Sequence, residues 1–289
     1  MPRHLHATRG SRRLPALLAA GLVLVLIVVA GVWIFGRSGT TAGPATAASS
    51  PSAGAGSRTA TPTPSPSATA TPGATRVPAS SLDGLVPDFK LPPIENGLAP
   101  VLTKIPTEQK VVFLTIDDGA VKRSSDVALL AKYGYRASLF LANAFIAPDP
   151  AFFKQYTAGG SLVEDHSMTH NLGFINLGYE AQKAEICQMA DFEEKEYGRR
   201  PVFFRPPGGP YTESVQRAVA ACGLKAIIDW EAKANAGGMQ YQVGDKLRPG
   251  EIVLMHFRPE FAQDLGAFAA AQKAAGLKVV LLEDYLGVK

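Results

Sequence analysis

The chain has 289 residues, of which 46% are hydrophobic and 19% are charged, a balance that excludes a disulfide-dense miniprotein and a chain that is disordered throughout. Residues 1–81 contain seven of the 29 Lys and Arg residues and no acidic residue, so the remainder, with 22 basic and 25 acidic side chains, has a net charge of about −3. The formal net charge of +4 therefore comes from the N-terminal part, and we expect no nucleic-acid partner.

The first predicted element is a membrane-spanning helix at residues 14–36, none of which is charged. At about 1.5 Å per residue, this segment is long enough to cross roughly 30 Å of hydrocarbon. Four arginines precede it and only Arg37 follows closely, so the positive-inside rule places the basic tail, residues 1–13, in the cytoplasm and the rest of the chain outside. We therefore expect a single-pass protein of the cell membrane with an extracytoplasmic domain. The alternative is a cleaved signal peptide, whose apolar core is usually about 7–15 residues long.

Residues 37–80 consist almost wholly of Ala, Ser, Thr, Pro and Gly. Such a segment buries too little apolar surface to offset the entropy of ordering it, so we predict a disordered linker. If it is flexible, its 44 residues have an r.m.s. reach of about 36 Å. Ser/Thr/Pro-rich stretches are also typical of O-glycosylated stalks. Residues 81–107, rich in Pro and Leu, are predicted to be a lead-in segment that packs on the domain that follows.

The domain at residues 108–289 alternates apolar runs with helical patterns, which predicts a parallel sheet in the α/β class. Near-continuous apolar strands indicate that both faces of the sheet are covered, as in a barrel or a doubly wound sheet. We expect a distorted, incomplete (β/α) barrel of about seven strands. The predicted strands are residues 111–116, 137–141, 161–163, 202–204, 225–228, 251–255 and 278–282. The predicted helices are residues 124–134, 179–198, 213–223 and 262–276.

Two cysteines, Cys187 and Cys222, lie in predicted helices of the exported part. An even pair outside the cell permits one disulfide, whereas two buried, unlinked thiols are the alternative. No histidine-based nucleophile motif accompanies either residue, so a catalytic thiol is not expected.

Five short motifs place polar residues at the ends of predicted strands. They are TIDDG with Asp117 and Asp118, HSMTH with His166 and His170, RPPGG at 205–209, IIDW at 227–230, and LMH at 254–256. On a helical turn, the i, i+4 spacing in HSMTH would place both imidazoles on one face, at a separation suited to one metal ion. Taken singly, each motif is also typical of a turn or a helix cap. In β/α barrels, however, the carboxyl ends of the strands converge on one active site.

In this order and at this spacing, the five motifs resemble those of the NodB-homology polysaccharide deacetylases, carbohydrate esterase family 4. The resemblance covers roughly residues 108–289. It implies a distorted barrel and a metal-dependent hydrolase that removes acetyl groups from N-acetylated polysaccharides or, in some members, from O-acetylated xylan.

The resemblance implies that Asp118, His166 and His170 are the metal ligands. Two imidazoles and one carboxylate suit Zn²⁺ and leave positions open for water and a substrate carbonyl, and Co²⁺ or Ni²⁺ would also fit. Asp117 matches the general base that takes a proton from the attacking water. Arg205 matches the residue that keeps this base ionised and oriented.

The other matching positions surround the acetyl group of the expected substrate. His256 matches the general acid that protonates the departing amine, and Asp229 matches the carboxylate that orients His256. The backbone N–H of Gly208 matches the donor to the oxyanion. Trp230 and Leu254 match apolar wall positions near the acetyl methyl group.

Three positions differ from the usual family pattern, which has Phe at Ile116, Pro at Ala120 and Tyr at Gly208. The differences alter packing and the shape of the groove but leave the metal and acid/base residues complete. We therefore predict an extracytoplasmic, membrane-anchored deacetylase of cell-wall glycan containing GlcNAc or N-acetylmuramic acid. The alternatives are an O-acetyl esterase and a non-catalytic carbohydrate-binding module. A zinc peptidase is not expected, because the HExxH glutamate is missing.

Overall fold

The computed structural model describes residues 81–288. The predicted cytoplasmic tail, membrane helix and linker lie outside the described residues. Between residues 81 and 288, no helix is both long and apolar enough to cross a membrane.

The described part of the chain forms a mixed sheet of ten strands. The strands are β1 (Val101–Leu102), β2 (Val111–Asp118), β3 (Ser138–Leu141), β4 (Leu162–Asp165), β5 (Phe203–Phe204), β6 (Ala226–Ile228), β7 (Ala232–Asn235), β8 (Gly238–Tyr241), β9 (Ile252–His256) and β10 (Lys278–Val279). Their order is β1-β6-β5-β4-β3-β2-β9-β7-β8, and β10 pairs with the start of β2. All pairs are parallel except the β7–β8 hairpin. The terminal strands β1 and β8 do not pair with each other, so the curled sheet is the expected incomplete barrel.

Seven α-helices lie between or after these strands in the described residues. They are α1 (Ser124–Lys132), α2 (Asn143–Ile146), α3 (Lys154–Ala158), α4 (Tyr179–Tyr197), α5 (Glu213–Ala221), α6 (Phe261–Ala275) and α7 (Leu282–Leu286). The four predicted helices correspond to α1, α4, α5 and α6. Helices α4 and α6 end at Gly198 and Gly276, which adopt the left-handed conformation that glycine permits at a helix C-terminus.

Every predicted apolar run overlaps a strand, but the last run was predicted to be a longer strand than it is. In residues 278–282 only Lys278 and Val279 are in a strand, because Leu282 begins α7. All five residues of α7 are buried, including the acidic Glu283 and Asp284. Its first residue, Leu282, continues the apolar run of the preceding strand, and this is why the run was predicted as one longer strand. No predicted element corresponds to β1 or to the β7–β8 hairpin.

Side chains alternate between the two faces of the sheet, so each strand contributes to two cores. On β2, Leu114 and Ile116 pack in the cluster that contains α1 and α6, whereas Val111 and Phe113 pack in the cluster that contains Tyr285 of α7. Lead-in residues, including Leu85, pack against this second cluster. A third cluster lies between the sheet and helices α4 and α5.

A disulfide joins Cys187 of α4 to Cys222 at the C-terminus of α5. Their Cα atoms are 5.0 Å apart. Of the two alternatives left by the sequence, the structure has the disulfide, and it links two helices that pack on the same part of the sheet.

Candidate active site

The polar motifs meet at the carboxyl edge of the sheet. Asp117 is near the end of the central strand β2, where it is in register with His256 on β9 and with Phe140 on β3. His166 directly follows β4, and Arg205 directly follows β5. Because these strands are parallel and adjacent, residues far apart in the sequence reach one pocket.

Asp118, His166 and His170 form a cluster whose potential ligand atoms all lie within 4.8 Å of one another. The Nε2 atom of His170 is 3.1 Å from Asp118 Oδ1, and His166 Nε2 is 3.7 Å from the same oxygen. Asp118 and His166 are buried, and the side chain of His170 is 17% exposed. This arrangement of one carboxylate and two imidazoles is the donor set expected for zinc.

The i, i+4 spacing of the two histidines suggested a helical turn, but a loop brings them together instead. Residues 166–170 form a loop in which Ser167 and His170 have positive φ angles, of 72° and 52°. Asp165 stabilises this loop by accepting a hydrogen bond from Ser167 N at 2.8 Å, and Ser167 Oγ accepts one from His170 N at 3.1 Å. The left-handed backbone at these two residues turns both imidazoles towards Asp118.

A hydrogen bond fixes the tautomer of His166. Its Nδ1 lies 2.7 Å from the carbonyl oxygen of Arg205. Because a carbonyl oxygen only accepts, Nδ1 carries the proton and Nε2, which faces Asp118, keeps its lone pair. Burial lowers the pKa of His166 to about 3, so the ring is neutral at physiological pH. His166 therefore fits the role of a metal ligand.

Asp117 forms a buried ion pair with Arg205. Its Oδ1 accepts a hydrogen bond from Arg205 Nη1 at 2.6 Å, and both side chains are almost inaccessible to solvent. The guanidinium also donates to Thr115 Oγ1 and to the carbonyl oxygen of Ile228, and it lies over the ring of Phe140 at 4.2 Å. These contacts hold one oxygen of Asp117 in place, while Oδ2 lies 3.7 Å from His166 Nε2. The free oxygen thus faces the histidine cluster.

The two neighbouring aspartates have opposite pKa shifts. Burial raises the pKa of Asp117 to about 7, although the positive charge of Arg205 acts in the opposite direction. Burial acts in the same sense on Asp118, but the hydrogen bond with His170 and the nearby histidines lower its pKa below the ordinary value. Asp118 is therefore the permanent anion of the pair, and Asp117 is the carboxylate able to exchange a proton near neutral pH.

His256, at the end of β9, lines the same pocket. Burial lowers its pKa to about 4, and the cations Arg258, Arg205 and Lys233 act in the same direction. Asp229, the expected orienting partner, accepts a hydrogen bond from Trp230 N at 3.1 Å. Within residues 81–288, no hydrogen bond or ion pair joins Asp229 to His256, so their pairing stays a prediction.

The residues expected to contact the acetyl group line this pocket, which has a volume of about 200 Å³. They are Gly208, Trp230 and Leu254. Gly208 has a φ of 76°, a conformation that a side chain would strain, and no acceptor for its N–H lies within the described residues. The N–H is therefore available to a ligand. A larger, mainly apolar groove of about 710 Å³ lies between the lead-in segment and α7 and contains none of the motif residues.

Four further residues line the pocket and were not predicted from the sequence. These are Leu172, Lys233, Asn235 and Arg258. Lys233 and Asn235 are alternate residues of β7, so the pattern in AKAN, with small buried residues between polar ones, is the signal that could have indicated a strand with one face towards the site.

The family model for polysaccharide deacetylases matches residues 104–227. An uncharacterised protein of Streptomyces coelicolor is 33% identical over 195 residues, which cover 65% of this chain and 78% of the relative. A peptidoglycan-N-acetylglucosamine deacetylase of Bacillus cereus is 25% identical over 203 residues, which cover 65% of this chain and 94% of the relative.

The fold is similar to that of a solved pseudoenzyme of carbohydrate esterase family 4 from Bacillus anthracis. The TM-score is 0.57 at 20% identity, and the match covers 65% of this chain and 69% of the pseudoenzyme. At this identity the similarity shows the fold, and the chemistry rests on the residues of the site. From the family match and the relatives, the chain belongs to the polysaccharide deacetylase family.

Proposed function

We propose that the protein is a metal-dependent hydrolase that removes N-acetyl groups from cell-wall polysaccharide built of GlcNAc and N-acetylmuramic acid. The observation that carries the proposal is the juxtaposition of two units in one pocket. One unit is the Asp118, His166 and His170 cluster, and the other is the buried pair of Asp117 and Arg205. A purely structural site would have no need for a proton acceptor beside a set of metal-binding atoms.

The donor set favours Zn²⁺, with Co²⁺ or Ni²⁺ as further candidates. When bound by Asp118, His166 and His170, such an ion would polarise the acetyl carbonyl and lower the pKa of a water molecule. The hydrogen bond from His166 Nδ1 to the Arg205 carbonyl orients the ligand before any ion binds, because it leaves Nε2 facing Asp118.

Asp117 would take the proton from the attacking water. Its free Oδ2 faces the histidine cluster, while Arg205 holds Oδ1 and favours the ionised form. A base is most effective when its pKa is close to the working pH, and burial has raised the pKa of Asp117 to about 7. A cation in the adjacent site would lower that pKa, so the base would be ionised at neutral pH.

The remaining residues would stabilise the oxyanion and release the amine. The N–H of Gly208, which has no acceptor among the described residues, would donate to the oxyanion, and Trp230 and Leu254 would provide apolar walls for the methyl group. His256 would protonate the leaving nitrogen. Because burial depresses the pKa of His256 to about 4, the ring is neutral at rest, and the proton that it gives to the amine would be the one released by the attacking water.

The proposal extends to location and substrate class. The 23-residue apolar segment 14–36 would anchor the chain in the cell membrane, and the linker at 37–80 would let the catalytic domain reach glycan near the membrane. The relative in Bacillus cereus that is named as a peptidoglycan-N-acetylglucosamine deacetylase supports cell-wall glycan as the substrate.

Acetate release from N-acetylated glycan by the purified protein, with and without a chelator, tests the proposal. We expect release that stops on chelation and returns when Zn²⁺ is added back. Binding of glycan without acetate release would identify a carbohydrate-binding module. Release only from O-acetylated xylan would identify an esterase instead.

A further inference from the structure

We propose that Lys233 binds a carboxylate of the glycan substrate and makes the enzyme selective for acidic over neutral chains. The inference rests on the proposed function and adds a class of substrate to it. In peptidoglycan the matching group is the lactyl carboxylate of muramic acid, which is attached next to the acetamido carbon of the same sugar.

The position of Lys233 places its side chain on the substrate side of the sheet. In the parallel pairing of β7 with β9, Lys233 is in register with Leu254, two residues before His256. Its neighbours Ala232 and Ala234 are buried in the core that contains α6. Since side chains alternate along a strand, Lys233 faces the pocket that Leu254 and His256 line.

Lys233 also lines a second groove, which continues from the catalytic pocket along the hairpin. This groove has a volume of about 370 Å³, and it shares Trp230 and Lys233 with the pocket. Gln240 and Gln242, both exposed, provide amide groups on its wall. An aromatic ring beside amide groups suits a sugar, which has apolar C–H faces and hydroxyl edges. Lys233 thus lies at the boundary between the reacting sugar and its neighbour in the chain.

The charge of Lys233 has no partner among the described residues, although the residue is only partly exposed. The nearby carboxylates are already engaged: Asp117 with Arg205, Asp118 with His170, and Glu231 with Arg248. A carboxylate from a ligand would supply the missing charge and a charge-assisted hydrogen bond.

A second cation strengthens the preference for an anionic ligand. The guanidinium of Arg258 lines the same pocket, with Nη2 3.9 Å from Asp118 Oδ2, which is beyond a normal hydrogen-bond length. Once Asp118 binds a metal ion, neither Arg258 nor Lys233 is neutralised by a side chain of the pocket. A neutral glycan offers these cations only hydroxyl and amide oxygens.

The test compares two glycans that differ only in the group at the lactyl position, which is charged in one and neutral in the other. One is peptidoglycan glycan freed of its stem peptides, with lactyl carboxylates exposed, and the other is the same glycan with those carboxylates converted to methylamides. We expect the full-length, metal-loaded protein to show a kcat/KM about tenfold higher for the acidic glycan. In Lys233→Gln this ratio should fall several-fold, mainly through KM, to the smaller preference that Arg258 alone supports. Lys233→Arg should retain most of the preference.

The matched control is Lys195→Gln, which removes an exposed lysine in the last turn of α4 and should keep the wild-type ratio. A wild-type protein without preference, or a Lys233→Gln variant that keeps the full wild-type ratio, would overturn the inference while leaving the proposed deacetylase intact. If neither glycan released acetate, the proposed function would fail, and calorimetric binding of the two glycans to wild type and Lys233→Gln would then decide the inference. Equal affinities would reject it.

Discussion

Replacing Asp117 and Asp118 one at a time by Asn separates the two roles assigned to adjacent residues. Each substitution removes one negative charge at nearly constant volume, so the two variants are controls for each other. Asp118 Oδ1 is within 3.1 Å of His170 Nε2, and the lowered pKa of Asp118 keeps it ionised. Asp117 Oδ1 instead accepts a hydrogen bond from Arg205 at 2.6 Å, which an Asn oxygen would still accept.

Different quantities should therefore change in the two variants. Asp118→Asn loses the anionic ligand of a three-ligand site, so its metal affinity should fall by more than the roughly 10- to 100-fold that loss of an outer-shell partner costs. Asp117→Asn loses only the base. It should keep about one metal ion per chain while kcat falls by a factor of order 10² to 10⁴, equivalent to roughly 3–5 kcal/mol of transition-state stabilisation.

Metal content by mass spectrometry, measured beside acetate release, gives both quantities on the same samples. Metal lost from Asp117→Asn but retained by Asp118→Asn would reverse the two roles. Unchanged turnover in both variants would show that this pocket is not the active site.

Three further predictions address the acid, the backbone and the buried charges. His256→Ala should slow turnover more than it weakens metal binding; a loss of metal equal to that of His166→Ala would make His256 a ligand. Gly266→Ala lies within α6, where a Cβ meets no atom within 4 Å, so it should raise the free energy of unfolding by about 0.5–1 kcal/mol. Gly250→Ala should lower the free energy of unfolding, because its Cβ would overlap the Ile105 carbonyl. Chemical denaturation measures both changes. Burial raises the pKa of Glu193 well above 4.5, so the folded state retains a proton that the unfolded state releases, and stability should fall as pH rises above about 4.5. Glu193→Gln should flatten that slope, and an unchanged slope would contradict the assignment.

The sequence predicted the central sheet because its strands are buried on both faces. All eight residues of β2 are buried, as are those of β3. A strand that is buried on both faces has a nearly continuous apolar run in its sequence, and such a run predicts a strand of a covered parallel sheet. Because Asp117 and Asp118 directly follow the apolar run 111–116, they could be predicted to lie at the end of a strand. Helix ends were predictable where glycine follows the last turn, as at Gly198.

The parts that depend on tertiary packing were not predictable in the same way. Strand β7 has only alanine as its buried apolar residue, and the only apolar residues of β8 are Met239 and Tyr241, so the hydrophobic pattern of the hairpin is weak. Lys233 and Asn235 of β7 were missed with it. The proximity of His166 and His170 was inferred from helical spacing, yet it arises from left-handed backbone at Ser167 and His170. No local pattern specifies those angles.

The most direct test of the central claim is to measure free amine and acetate together after the metal-loaded protein has acted on cell-wall glycan from which O-acetyl groups were removed by mild alkali. N-deacetylation predicts that the two products appear in equal amounts, that both depend on the metal, and that both fall by the same factor in Asp117→Asn. Acetate without new amine, or no product from a protein that holds its metal ion, would contradict the assignment of this pocket as an N-deacetylase site.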